Sequence, residues 1–206
     1  LNLPRKDEDG KSYLSNSQIT LWKRSRADYR KQYIEGERFE GNKFTEFGEK
    51  VGGALEKNDF RAFSKTEQRI LGAAVRLDVF EREIKIKYDG FYVKGFIDTM
   101  ASDFSRIIDY KTGGVGKDVK YTGADYIQLC VYALGLRQET GITPKIGQVQ
   151  FIAREGNPWR GEALAVAPID ILSIDIDISY TRLKAVYHYI FKIAKEIEKY
   201  YQEVGK

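Results

Sequence analysis

The sequence predicts an α/β (α+β-like) fold: a central mixed sheet of about five strands that starts as an antiparallel meander and is flanked by helices. Three features predict it. Residues 79–111 hold three consecutive runs of strand character separated only by short turns. Helix-period patterns with capping residues lie on both sides of those runs. The 206 residues suffice for one domain with a sizeable core. Residues 1–206 are therefore expected to form a single unit: 1–11 polar and mobile, 12–78 helical, 79–170 a sheet carrying one helix, and 173–204 a closing helix.

Each element has its own signal. Ser15 or Ser17 caps a helix expected to run to about Tyr33, with Ile19, Leu21, Trp22 and Tyr29 as its apolar positions. Thr45 opens a second helix, Glu46 to about Lys57, in which Gly52-Gly53 costs about 1 kcal/mol per glycine and suggests close approach of another backbone or a ligand. Ser64 and Glu67 form a capping box for a third helix, through about Leu77. Val79 to Tyr88 alternates charged and apolar residues as a half-exposed strand does, and Asp89-Gly90 turns it into Phe91 to Asp98. Small and polar residues 99–105 lead to the third strand, Arg106 to Lys111. Thr122 with Asp125 resembles a capping box for a helix from about Ala124 to Glu139, ended by Gly141. Lys145 to Ala153 and Gly161 to Pro168 read as the fourth and fifth strands, and a long helix from about Ser173 closes the domain on Leu183, Val186, Ile190, Ile193 and Ile197.

Composition narrows the function. Charge is abundant but nearly balanced, at a net +4, so any basic surface must come from local clustering. The densest cluster is Lys23, Arg24, Arg26 and Arg30 on the first helix, a strip suited to a nucleic-acid backbone. A single cysteine, Cys130, excludes an internal disulfide, a Cys₄ zinc site and a four-cysteine iron–sulfur cluster. The one histidine, His188, sits on the closing helix and reads as structural. No apolar run approaches membrane-spanning length and no secretion signal is visible, so a cytoplasmic setting is expected, with no membrane partner. The chain opens on Leu1 rather than Met, as a piece of a longer protein would.

The chemistry concentrates in residues 91–111. Side chains alternate across a strand, so Asp109 and Lys111 project from one face and Ile108 and Tyr110 from the other. If the second and third strands form a hairpin, Asp98 lies near Ile107 with Asp109 a diagonal step away, roughly 7–8 Å between backbones. Two carboxylates so placed can reach one divalent cation, and a lysine on the same face can approach the same point. Hard oxygen donors suit Mg²⁺ or Mn²⁺, and the ammonium suits charge developing on a phosphodiester.

Gly95-Phe96-Ile97-Asp98, Ile107-Ile108-Asp109-Tyr110-Lys111-Thr112-Gly113, and Gln128-Leu129 with Tyr132 occur in an order and spacing that resemble the PD-(D/E)XK nucleases, specifically their RecB-like exonuclease branch. The likeness covers about residues 12–153, with Ser15-Asn16-Ser17 and the basic helix similar to the branch's opening and Glu83 where a strand glutamate is usual. It implies that Asp98, Asp109 and the Tyr110 backbone carbonyl hold Mg²⁺ or Mn²⁺, that Lys111 positions water and stabilises the transition state, and that Gln128 and Tyr132 hold DNA. Gly48 to Glu56 departs from the branch: Gly52 stands where many members have a metal-binding histidine, and Glu49, one turn away, is the candidate replacement ligand. The resemblance implies a metal-dependent deoxyribonuclease, an exonuclease acting on linear duplex or single-stranded DNA in phage or bacterial recombination and repair, with any helicase or annealing protein separate. A structure-selective endonuclease, or a DNA-end-binding module with reduced or lost catalysis, remains the alternative. Neither zinc nor an iron–sulfur cluster is expected.

Overall fold

A computed structural model describes residues 1–38 and 40–204. Its centre is a seven-stranded mixed sheet. Strands β2 (Val79–Tyr88), β3 (Phe91–Met100) and β4 (Arg106–Gly114) form the expected antiparallel meander. The Asp89-Gly90 turn works because Gly90 adopts a left-handed φ of 80°. β5 (Ile146–Glu155) runs parallel to β4 along its full length. Two short strands that sequence patterning did not resolve complete the sheet: β1 (Tyr13–Ser15), parallel to the first half of β3, and β7 (Leu172–Asp175), antiparallel to β5. The expected fifth strand, residues 161–168, contracts to β6 (Ala165–Val166).

Helices cover both faces. α1 (Asn16–Arg24), α5 (Gln128–Thr140) and α6 (Tyr180–Val204) pack on one side, where Ile84, Ile86, Val93, Val149 and Phe151 meet Leu129, Val131, Val186 and Ile190. α3 (Lys43–Lys57) and α4 (Lys65–Leu71) cover the other, where Phe47, Val51, Leu55 and Leu71 meet Ile152 and Val166. Strand alternation divides these residues between the two cores: Phe151 enters one and Ile152 the other.

Several boundaries move. The first helix breaks at Ser25, whose backbone is extended and whose hydroxyl accepts from the Asp28 amide; the short α2 (Arg26–Tyr29) and a π turn at Arg30–Ile34 follow. A serine side chain that satisfies a helix's free N–H groups competes with the helical backbone. α3 is capped by Asn42 rather than Thr45, the Ser64–Glu67 capping box is present, and α4 stops at Leu71 instead of Leu77. α5 begins at Gln128, because Asp125 is engaged by Lys23 and caps nothing. The closing helix starts at Tyr180, not Ser173, since residues 172–175 add to the edge of β5. Residues 1–11 are docked rather than free: Leu3 is fully buried and the Asn2 amide donates to Glu198 at 2.6 Å.

α5 is buried nearly all round, and its glycine is needed for that. A Cβ on Gly135 would stand 2.8 Å from the Ile84 side chain on β2. Gly135→Val is expected to cost about 1–3 kcal/mol by overpacking, read as a lower denaturant midpoint with an unchanged slope; Gly141→Asn, at the exposed left-handed end of the same helix, is the mild comparison.

Candidate active site

The site is made where the sheet opens. β2 and β1/β4 occupy opposite edges of β3, but β1 pairs only with Tyr92–Lys94 and β4 only with Thr99 and Met100. On that edge, residues 95–98 have no strand neighbour among the described residues. Ile97 and Met100 both enter the same core although three residues apart, which regular alternation forbids. β3 therefore turns over at Asp98. The facing residue of β2, Glu81, carries a left-handed φ of 49° and falls in a gap in the ladder between Phe80↔Thr99 and Arg82↔Ile97. The result is a seam between β3 and β4, with the Asp98 carboxylate in place of a ladder carbonyl: the Tyr110 amide donates to Asp98 Oδ2 at 2.7 Å.

The register corrects the expected pairing by two residues. Thr99 faces Ile108, so continuing the ladder one step sets Asp98 against Asp109 rather than near Ile107. Asp109 is fully buried. Its Oδ2 meets Lys111 Nζ at 2.6 Å and accepts from the Tyr126 hydroxyl at 2.6 Å; its Oδ1 accepts from Gln128 Nε2 at 2.9 Å. Burial pushes the Asp98 carboxyl up to about 7, with the Asp109 charge adding to the rise. Burial acts to lower the Lys111 ammonium, but Asp109 and Asp98 outweigh it and hold the group above its ordinary value. Burial and then Asp109 raise the Tyr126 hydroxyl, which stays a donor.

This donor set fits a hard divalent cation. Two carboxylates share a water-poor site with one ammonium, leaving excess negative charge, which adds to the burial that lifts Asp98. The Tyr110 carbonyl faces the same seam, because an extended residue points its N–H and C=O to the same side and the Tyr110 N–H points at Asp98. Among the described residues no cluster of three Asp, Glu, His or Cys side chains is placed to hold a metal, so Asp98, Asp109 and that carbonyl are the protein donors the geometry offers.

The other expected residues are sorted by the same geometry. Glu49 lines a cleft of about 380 Å³ together with Asp98, Tyr110, Lys111, Glu56 and Glu81, but does not converge on the carboxylate pair. Gly52 lines it too, and a Cβ there would meet nothing within 4 Å. The glycine pair is thus no close-approach site; Gly48 is, with a Cβ position 3.3 Å from Thr112 Oγ1. Gln128 reaches the site. Tyr132 is 3 % exposed and takes the Gln128 amide from behind, so the structure places it as a support for Gln128. Its ring lies over Gly95, where a Cβ would stand 3.0 Å from it, which explains the glycine three residues before Asp98. Glu83 is remote, paired with Lys85 and Lys94. Of the basic strip, Lys23 pairs with Asp125, Arg26 with Glu196 and Arg30 with Glu35; Arg24 alone has no ion-pair partner among the described residues.

Sequence reading missed Tyr126 and Glu81. Tyr126 lies in a loop without periodicity, and only its place two residues before Gln128 marks it. Glu81 continues the exposed series Glu83, Lys85, Lys87 and so passes for a solvated strand residue.

The family model described as the PD-(D/E)XK nuclease superfamily matches residues 21–168. No curated protein matches the chain. Among solved structures, the crystal structure named "Putative exonuclease" from Eubacterium rectale superposes with a TM-score of 0.63 at 16% identity, covering 93% of this chain and 82% of that one. The crystal structure of SSO0001 gives a TM-score of 0.50 at 14% identity, covering 95% and 78%. At these identities the likeness is one of fold.

Proposed function

The chain belongs to the PD-(D/E)XK nuclease superfamily, and from that premise we propose that it is a Mg²⁺- or Mn²⁺-dependent deoxyribonuclease of the RecB-like exonuclease branch, acting from DNA ends in bacterial or phage recombination and repair. The observation that carries the reading is the Asp98–Asp109 pair across the seam with Lys111 held on Asp109.

Asp98, Asp109 and the Tyr110 carbonyl would hold the ion; Glu49 of α3, in the lining of the adjoining cleft, would join them only by swinging inward. When bound, it supplies Lewis-acid stabilisation of phosphoryl charge and activation of water. The protein's own groups do the rest. Lys111 presents a compact cation where the attacked phosphate gains negative charge, and that contact strengthens toward the transition state. Tyr126 and Gln128 fix the Asp109 carboxylate, so its orientation does not depend on the ligand. Gln128 also lines the open groove beside Lys111; with both amide hydrogens given to Asp109 and Tyr132, the atom it presents there is the accepting Oε1. A separate helicase or annealing protein would deliver the ends.

The test is digestion of end-labelled linear and covalently closed circular DNA with Mg²⁺, with Mn²⁺ and with EDTA. Cleavage of the linear form alone, lost in EDTA, is expected. Equal cutting of the closed circle would make the enzyme an endonuclease, and end binding with no cleavage under any metal would leave only a DNA-end-binding module.

A further inference from the structure

A second concavity, of about 590 Å³, opens beside the reacting groups. Asn16, Ser17, Thr20 and Arg24 of α1 form one wall; Gln32 and Tyr33 of the π turn form another. Its inner end is Lys111 and Gln128, and both Thr45 and Lys111 also line the α3 cleft. The two spaces therefore adjoin at Thr45 and Lys111 and together make a channel past the reactive centre.

The halves of the channel differ in charge. The α3 half carries Glu49, Glu56 and Glu81. Among the described residues, the α1 half has no carboxylate in its lining and one arginine. Ser17, Thr20 and Arg24 are exposed and spaced three and four residues apart, so they share one helix face. The other face supplies Ile19 and Trp22 to the core. Asn16 Nδ2, behind this row, is a buried amide donor with no partner among the described residues. Hydroxyl and guanidinium donors in a row suit successive phosphates, and the Tyr33 ring offers a face for a base.

The channel also selects strandedness. Lys111, in the lining of both spaces, is largely buried and rests on the fully buried Asp109, with α1 and α3 supplying the walls on either side. A phosphate of intact duplex has its partner strand across a groove about 6 or 12 Å wide and would have to bring that strand in with it. A separated strand has no such burden.

Resting on the nuclease reading above, we propose that the α1 groove seats a single DNA strand: Arg24, Thr20 and Ser17 hold the phosphates of the strand's body, and only its terminal portion crosses Lys111 into the acidic half. The glutamates there oppose further phosphates, so the strand's body lies on the α1 side.

The experiment measures binding in EDTA by fluorescence anisotropy, using a labelled 20-mer oligothymidylate and a blunt duplex of equal length, alongside cleavage of the same oligonucleotide in Mn²⁺. Wild type should bind the single strand more tightly than the duplex. Arg24→Glu and Thr20→Glu, both on exposed positions, should each weaken single-strand binding at least tenfold and raise KM with kcat little changed. Lys87→Glu, the same charge reversal on the far end of β2, should leave both unchanged. Thr20→Arg should tighten binding several-fold and steepen its salt dependence. If Arg24→Glu and Thr20→Glu bind and cut as wild type does, the groove is not the strand's seat although the nuclease reading stands. Tighter binding of the duplex would equally overturn the proposal. A wild-type protein that neither binds nor cuts either DNA would remove the nuclease reading itself.

Discussion

Lys111→Ala is expected to lower turnover about 10²–10³-fold, the range typical of removing one group aimed at developing charge, while DNA affinity changes only a few-fold. In the free protein the Lys111 ammonium is already committed to Asp109, at 2.6 Å in a buried setting. A ground-state phosphate must share it with that carboxylate, so the cation adds little to binding. As negative charge grows on the phosphoryl oxygens the balance shifts toward the substrate, and the contribution appears in kcat. Single-turnover rates and anisotropy on the same preparation separate the two quantities. If affinity collapses and turnover per bound complex survives, Lys111 is a backbone contact.

Asp98→Asn and Asp109→Asn should both abolish cleavage, because each removes an anionic oxygen donor, yet they should move stability in opposite directions. Asp109→Asn leaves the buried Lys111 without its ion-pair partner and disturbs the acceptor for Tyr126 and Gln128; breaking such a pair from one side is strongly destabilising. Asp98→Asn keeps an oxygen for the Tyr110 amide and removes one of two repelling carboxylates. The sign follows from linkage. The folded Asp98 carboxyl is raised to about 7, chiefly by burial and then by Asp109, so its protonation favours the folded state and its ionisation opposes it. That contribution to stability is present below the unfolded value near 4 and is lost as pH rises through 7. In EDTA at pH 8 the Asp98→Asn protein should therefore melt a few degrees above wild type, and the gap should close at pH 4. Melting curves for both variants at the two pH values decide it; a destabilised Asp98→Asn at pH 8 would contradict the repulsion described here.

The β2–β4 meander and the convergence of Asp98, Asp109 and Lys111 were legible because they depend on alternation and on a tight turn, both local. The Asp98 register was not. It depends on β3 turning over opposite Glu81, and nothing in Glu-Arg-Glu announces a left-handed glutamate. β7 was misread for a different reason: Ser173-Ile174-Asp175-Ile176 alternates as an edge strand does, but the long helical pattern after it was extended backwards over it. The basic strip shows the limit most clearly. Lys23, Arg24, Arg26 and Arg30 are adjacent in sequence, and only their distant partners, Asp125 and Glu196 among them, decide which charge stays free. Tyr126 became visible only once the loop before α5 was folded over Asp109.

The seam has a mechanical meaning. With a ladder of just Thr99↔Ile108 and Met100↔Ile107 between β3 and β4 among the described residues, the sheet is two stiff plates with a compliant line between them, and one reacting carboxylate stands on each plate. Their spacing is set less by either strand than by what clamps the plates together. α5 is that clamp: Gly135 seats on Ile84 of the first plate, Tyr132 on Gly95 beside it, and Gln128 grips Asp109 of the second. A change in the fit of this one helix, at a position that touches no substrate, would open or close the jaw by fractions of an ångström and alter the reaction from a distance.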